Sequence, residues 1–236
     1  MSDAGGLPVD EFQRIVEEAQ TLTFLPRATE LQIDARLQID NFLAVLAARK
    51  AECVNALDEA GANALLAMEL SLETVSAELA MWIELKQDAP EAGWNSLVSA
   101  QNSCEAAAAV RRQIGVDATG LENLLQKLLI IERFVFPPQM FASIGGTVDR
   151  RDCSICGGNY EACGHIKGRA YMGQLCHTLI VVADLKEVSM VTNPADKRCR
   201  LTHFSAQGKM RNKMTWRLED RPDHASPTID AISEQD

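Results

Sequence analysis

The sequence predicts an α+β protein that is mainly α, with an antiparallel helical bundle over residues 1–138 and a small β module over residues 139–206. Apolar residues recur at helical spacing through the first half, and glycine or proline separates the periodic segments. After Pro138 the pattern changes to short runs of β-branched residues. Residues 207–236 are polar and hold too little apolar surface to fold alone, so they are predicted to form a mobile tail.

Four or five helices are expected in the bundle. Residues 9–24 and 28–60 carry apolar side chains at steps of three and four. The next helix has the clearest seam, formed by Leu65, Met68, Leu72, Val75, Leu79 and Trp82. Residues 94–114 and 121–136 repeat the pattern, and a proline pair ends the last helix. Such side chains are typical of a packed core, so the bundle is predicted to be a scaffold or an oligomerisation unit.

Three strands are expected in the β module, over residues 140–151, 177–195 and 199–206. The first contains short apolar residues and a glycine pair, and the second contains two β-branched runs that a turn at Asn193 ends. The third is expected to return beside them. A cysteine-rich loop would then lie between neighbouring strands of a small sheet.

That loop, CSICGGNYEACGHIKGRAYMGQLC, has the composition of a metal site. It runs from Cys153 to Cys176 and offers four cysteines and one histidine in twenty-four residues. A Cys-x2-Cys-Gly turn directs two thiolates at one ion, and a tetrahedral structural zinc takes four ligands. The predicted zinc ligands are Cys153, Cys156, Cys163 and His165, with Cys176 as a substitute or a neighbour. Cys163 and His165 can ligate together only from a turn, because alternate residues of a straight strand face opposite sides.

Two other chemistries are open to these cysteines, namely disulfides and an iron–sulfur cluster. The first residues, MSDAGGLPVDEF, lack the basic start and apolar core of a secretory signal, and no apolar run has the length of a membrane span. We therefore expect a cytoplasmic protein that does not contact a membrane. In a reducing compartment clustered cysteines are more often metal ligands than disulfides, and the histidine favours zinc over iron.

Charge is unevenly distributed along the chain. The net charge is −12 over residues 1–149, +7 over residues 150–217 and −5 over residues 218–236. The predicted partner-binding residues form a basic run without an acidic residue, and they are Lys197, Arg198, Arg200, Lys209, Arg211, Lys213 and Arg217. Such a run favours an anionic partner, either a protein or a nucleic acid. The alternative is that the basic run docks on the acidic bundle of the same chain.

Two further stretches resemble the final part of tailed-phage capsid-maturation (prohead) protease-like proteins. These are FASIGG at 141–146 and DLKEVSMVTNPADKRCRL at 184–201, with the cysteine loop between them. The resemblance implies a β module of that kind, with Ser143 at the position of the family's nucleophilic serine. The family pairs this serine with an upstream histidine, whereas this chain has no histidine before His165. A serine without a positioned base is a poor nucleophile, so protease activity is not expected to carry over.

The preferred hypothesis is a non-enzymatic zinc-binding interaction or assembly protein. In it the bundle self-associates or binds a partner, and the basic zinc module contacts a protein or a nucleic acid. The alternative is a zinc-dependent or degenerate serine hydrolase related to the phage capsid-maturation proteases. A catalytic zinc keeps an open position beside a base, for which Glu161 and His177 are the nearby candidates. Five available protein ligands favour a closed site instead.

Overall fold

The computed structural model describes residues 6–220, and within that range five helices are followed by a β region. The helices are α1 (Val9–Gln20), α2 (Thr29–Asn55), α3 (Glu59–Lys86), α4 (Pro90–Gln113) and α5 (Thr119–Val135). The predicted α+β, mainly α fold class is therefore confirmed. Each segment that was predicted to be helical overlaps one of these helices, with ends that differ by up to several residues.

The break between α2 and α3 depends on one left-handed residue and one side-chain cap. Leu57 has a φ of 57°, and the Asp58 carboxylate accepts a hydrogen bond from the backbone N–H of Gly61 at 2.9 Å. This cap begins α3 before Gly61, so the glycine lies in the first turn of the helix and not between helices. The chain thus reverses within three residues, which sets α2 antiparallel to α3.

The predicted seam of α3 forms the centre of the bundle core. Leu65, Leu72, Val75 and Leu79 are each at most 1% exposed. The same cluster includes buried side chains of α1 and α2, which are Ile15, Ala19, Ala35, Ile39, Phe42 and Leu46. Burial of a full-sized aliphatic side chain contributes about 1.5–3 kcal/mol, so this cluster stabilises the helices without help from the β region.

A buried ion pair also lies in the helical part. Glu78 of α3 is fully buried, and its Oε1 lies 2.7 Å from Nζ of Lys127 on α5. The same ammonium donates a hydrogen bond to Oγ1 of Thr23 at 2.8 Å. Burial raises the pKa of Glu78 above its ordinary value of 4.5, and the Lys127 charge offsets part of that effect.

Replacing Glu78 with glutamine should change how stability depends on pH, in a defined direction. The pKa of Glu78 is raised in the folded state, so the folded protein holds this proton more tightly than the unfolded chain does. The free energy of unfolding of the unaltered protein therefore falls as pH rises above 4.5 through the folded pKa. The variant lacks this titration, so its free energy of unfolding relative to the unaltered chain should rise from pH 4.5 to neutral pH. Urea unfolding at several pH values measures this difference. A relative stability that falls over the same range would contradict the assignment.

The described β region contains seven strands in three small sheets. The strands are β1 (Phe141–Cys153), β2 (Ala170–Tyr171), β3 (Gln174–Leu175), β4 (Thr178–Val191), β5 (His203–Ala206), β6 (Lys209–Asn212) and β7 (Leu218–Glu219). The sheets are β1–β4, β2–β3 and β5–β6–β7. The three predicted strands correspond to β1, β4 and β5.

The segment predicted to start the mobile tail is instead part of a sheet. Residues 207–220 contain β6 and β7, and β6 pairs antiparallel with β5. Met210 and Met214 are buried here, and the buried Asn212 side chain accepts hydrogen bonds from the backbone N–H groups of Met214 and Thr215 at 2.8 and 3.0 Å. Residues 207–220 were predicted to hold too little apolar surface to fold alone, but they fold because they pair and pack with β5. Residues 221–236, the rest of the predicted tail, lie outside the described residues.

The described residues divide into two compact units whose boundaries differ from those expected from the sequence. The first unit combines residues 6–130 with residues 147–184, which include the cysteine-rich loop. The second combines residues 131–146 with residues 185–220. The loop therefore folds in one unit with most of the helices, although the sequence had assigned it to a separate β module. Among the described helices, none combines the length and apolar character needed to cross a membrane.

Candidate metal centre

Three cysteines and a histidine come together at the end of β1 and in the loop that follows it. Their potential ligand atoms all lie within 4.8 Å of one another, and the residues are Cys153, Cys156, Cys163 and His165. An ion bound by thiolates at about 2.3 Å in tetrahedral geometry places the sulfurs roughly 3.8 Å apart. The structure thus brings together the four predicted ligands, and the cluster has the size to close on one metal ion.

The first ligand pair is set by a tight turn at the end of β1. Gly157 has a φ of 69°, and its N–H donates to the carbonyl of Cys153 at 2.8 Å. The N–H of Ile155 points at the Cys153 sulfur, 3.4 Å away. Glycine is needed at position 157 because a left-handed residue closes this turn. The turn therefore directs both thiols to one side and supplies a donor to a thiolate.

The second pair follows a short 3-10 helix, Tyr160–Ala162. Asn159 caps it, with Oδ1 accepting from the N–H of Glu161 at 3.0 Å. After this helix the chain bends at Gly164, which places Cys163 and His165 on the same side. The expected turn between these two residues is confirmed.

His165 has a ring nitrogen that is available to a metal. Its ring stands edge-on to Tyr171, with the centroids 4.7 Å apart, and the hydroxyl of that tyrosine accepts from the N–H of Ile166 at 2.9 Å. The Nδ1 atom of His165 is buried and has no hydrogen-bond partner within residues 6–220. A buried imidazole nitrogen without a partner is costly, and a bound metal ion would satisfy it.

Cys176 is a fifth thiol beside the cluster. Its buried Sγ lies 3.8 Å from Sγ of Cys153, but it is not one of the four mutually close ligands. Burial and the neighbouring Cys153 raise the pKa of Cys176 to about 11. Burial also acts to raise the pKa of Cys153, yet hydrogen bonds from Cys156 and Ile155 outweigh it and lower that pKa to about 6. Cys153 therefore ionises first, and Cys176 remains a thiol able to donate to it.

Two amide side chains hold the cysteine-rich loop against α3 and α4. Gln113 pairs with the backbone of Ala170, donating from Nε2 to the carbonyl and accepting at Oε1 from the N–H, each at 2.8 Å. Asn63 accepts at Oδ1 from the N–H of Gly173 at 2.8 Å. Ala170 itself is fully buried, among Leu66, Ala67 and Val110. The loop is therefore docked on the helices through both polar and apolar contacts.

The residues that dock the loop were not found by reading the sequence. Asn63 and Gly173 are separated by 110 residues, and no motif connects them. The one available signal was Gly173, because glycine adopts the left-handed conformation of a tight turn without steric cost. It indicates the turn but gives no information about the helix on which the turn packs.

The predicted basic residues all lie in the second unit. Lys197, Arg198 and Arg200 lie between β4 and β5, Lys209 and Arg211 lie on β6, and Lys213 and Arg217 lie between β6 and β7. Several are paired within the chain, as Lys197–Glu132 at 2.6 Å, Arg198–Asp196 at 3.6 Å and Lys209–Asp220 at 2.8 Å.

Arginines of the same run are also engaged. Arg211 donates from Nη1 to the carbonyl of Trp216 at 2.7 Å, and the aromatic ring of that tryptophan stands edge-on to Phe204. Burial lowers the pKa of Arg200, whose Nη1 donates to Oε1 of Gln139 at 3.3 Å. Much of the positive charge is thus matched by groups of the same unit.

The residues considered for hydrolase chemistry lie on different segments of the described β region. Ser143 lies on β1, and within residues 6–220 its hydroxyl makes no hydrogen bond. Glu161 and His177 are both exposed, and the N–H of His177 donates to Oγ of Ser154 at 2.8 Å.

Comparisons with protein-family models, with curated proteins and with solved structures give no match to this chain. The geometry of the cluster is therefore the main basis for assigning a role.

Proposed function

We propose that the chain is a non-enzymatic interaction or assembly protein whose cysteine-rich loop binds one structural zinc ion. The ion would be held by Cys153, Cys156, Cys163 and His165. Its role is to fix the loop in the conformation that docks on α3 and α4, so that the strands on either side of the loop begin and end at defined positions. The protein would then bind a partner through a surface that stays folded because the zinc ion is bound.

The four-ligand cluster is the observation that carries this proposal. Three thiols and one ring nitrogen of His165 lie within 4.8 Å of one another, and Nδ1 of that ring is buried without a hydrogen-bond partner within residues 6–220. Thiolate and imidazole together suit zinc better than calcium, magnesium or manganese, which prefer oxygen ligands. Four protein ligands complete a tetrahedral site and leave no position for a substrate or a reactive water, which is the property of a structural zinc.

A protein fits the partner better than a nucleic acid does. Nucleic-acid affinity comes mainly from lysine and arginine charges that neutralise phosphates. Here Lys197, Arg198 and Lys209 each have a carboxylate partner in the chain. Those carboxylates compete with phosphate for the same positive charges, although the exposed pairs of Arg198 and Lys209 contribute little free energy.

The closed site can be tested by replacing zinc with cobalt in the full chain. We expect the cobalt-loaded protein to show the intense visible bands of a tetrahedral ion and the near-ultraviolet charge-transfer bands of thiolate ligands. Addition of azide or cyanate should leave both sets of bands unchanged, because no coordination position is open. Cys176→Ser should give the same spectrum, because this thiol lies outside the four-ligand set.

Two outcomes would contradict the proposal. A spectrum that changes with azide would indicate an open position and favour the hydrolase alternative. Loss of charge-transfer intensity in Cys176→Ser would show that this cysteine is a ligand in place of one of the four.

A further inference from the structure

Strand β4 exposes an unusual amount of apolar surface. Over Leu179–Val188 every residue is exposed, on both faces of the strand. The large apolar side chains among the exposed residues of β4 are Leu179, Ile180, Val181, Val182, Leu185, Val188 and Met190, which are 46–71% exposed. We call this strand with its side chains the β4 surface. An exposed apolar surface of this length marks a site of association.

The hydrogen-bonding edge of β4 is open as well. Among the described strands β1 is its only neighbour, and no backbone hydrogen bond links Thr178–Val191 to any other described segment. A two-stranded sheet with neither face covered is marginally stable in water. A long apolar edge strand is a template for pairing with a further strand. The β4 surface is therefore incomplete in the single chain.

The order of residues along β4 makes it complementary to itself. If two copies pair antiparallel with Leu185 facing Leu185 of the second copy, every residue faces the one at equal distance on the other side of Leu185. Asp184 then faces Lys186 of the other copy, and the same ion pair forms a second time. On the same face Val182 faces Val188, and Ile180 faces Met190.

Other registers lose this match. A shift by one residue sets Asp184 opposite Glu187 or opposite Leu185. A shift by two residues sets either Asp184 or Lys186 against its own copy, so that like charges face each other directly. Twofold symmetry requires an isologous contact, and the register centred on Leu185 supplies one.

Strand β1 does not offer an equivalent surface. Its charged residues are Asp149, Arg150, Arg151 and Asp152. In twofold antiparallel pairing one residue faces its own copy, because facing residues share a face of the sheet. Pairing about Arg150 or Arg151 sets that arginine against itself, whereas the β4 register places the uncharged Leu185 on the axis. The charges therefore favour β4 as the self-associating edge.

We propose that the chain forms a twofold dimer by antiparallel pairing of β4 with β4 of a second copy, in the register centred on Leu185. The two β1–β4 ribbons then join into one four-stranded sheet. This inference rests on the proposed assembly function and names its partner as a second copy of the chain. The proposed dimer does not depend on the metal ligands, so the dimer proposal and the zinc proposal can each fail without the other.

Charge reversal at the two paired positions tests the register. In Asp184→Lys, the two lysines of one copy face the two lysines of the other. In Lys186→Asp, the two aspartates of one copy face the two aspartates of the other. Each variant alone should raise the dimer dissociation constant by roughly tenfold or more, since each reversal converts two favourable cross-strand pairs into repulsive ones. A mixture of the two variants should form a heterodimer, because every lysine then faces an aspartate. Sedimentation equilibrium of the full-length proteins measures all three cases.

Glu187→Lys is the matched control. It makes the same change of charge on the same strand, but in the proposed register position 187 faces Ala183, so the dimer should be retained. Leu185→Lys provides a second test, because it sets two ammonium groups together on the symmetry axis and should give a monomer. This side chain is 67% exposed in the single chain, so the substitution should not impair folding.

Three results would overturn the inference: an unaltered chain that sediments as a monomer at high concentration, a dimer that Asp184→Lys, Lys186→Asp and Leu185→Lys all leave intact, or a mixture that fails to associate. Capture of a different protein by a monomeric chain would assign the β4 surface to another partner. Zinc content measured on the same samples should be equal in all of them. A loss of zinc would instead point to a failure of the metal site.

Discussion

Replacing Cys153 with serine should release the metal and unfold the loop over residues 153–176 while the helices stay folded. Structural zinc contributes an apparent binding free energy on the order of 10 kcal/mol, which exceeds any single contact that the loop makes. The helices have their own core, with Leu72 and Leu79 fully buried. Amide hydrogen exchange should therefore show protection lost between β1 and β4 and retained in α3.

Cys199→Ser is the control for this experiment. Cys199 is exposed and lies outside the metal cluster, so the same chemical change there should leave both zinc and protection unaffected. Loss of helical circular dichroism in Cys153→Ser would show that bundle and loop form one cooperative unit. Unchanged exchange in the loop would show that metal is not needed for its folding.

Replacing Gly173 with valine should detach the loop from the helices but leave the metal bound. Gly173 has a φ of 74°, and a Cβ atom there would lie 2.9 Å from Cδ of Lys50 and 3.2 Å from the carbonyl oxygen of Ala62. The side chain must push the loop away from α3, which breaks the hydrogen bond to Asn63. Backbone strain and the lost buried hydrogen bond together should cost about 2–5 kcal/mol.

Gly168→Val separates the steric effect from the backbone effect. Gly168 has a similar φ of 83°, but no atom lies within 4 Å of the position that its Cβ would take. This variant should cost only the strain of a left-handed β-branched residue, about 1–3 kcal/mol. Thermal unfolding of both variants, with zinc content measured in parallel, gives the comparison. Equal losses of stability would mean that the contact with α3 contributes nothing.

Local patterns were sufficient to predict the helices and the residues that form the Cys/His cluster. Steps of three and four located the α3 seam, because a residue on one face of a helix recurs at that spacing. The spacing of Cys153 and Cys156 before a glycine located the cluster of cysteines and histidine for a similarly local reason. Contacts such as Asn63 to Gly173 could not be predicted, since a polar residue on a helix has the same sequence pattern whether it faces solvent or a loop.

The strands show the same limit. The run Ile180-Val181-Val182 is typical of a strand that is buried on both faces, yet these residues are exposed on both. The sequence therefore specified a buried strand, and the structure of one chain does not bury it. In the proposed dimer each of these side chains would gain a cross-strand neighbour, while both faces of the joined sheet stay uncovered. Strand β6 was missed because its buried apolar side chain, Met210, is flanked by charged and polar residues; the Gln207-Gly208 turn, with both φ values positive, was the available signal.

The metal content of the purified full-length chain tests the central claim most directly. Elemental analysis of protein prepared without chelators should return about one zinc per chain, because the cluster of Cys153, Cys156, Cys163 and His165 supplies four ligands for one tetrahedral ion. Cys153→Ser prepared in parallel should return none, and Cys199→Ser should return the same value as the unaltered chain. Iron in place of zinc, or no metal in the unaltered chain, would contradict the claim.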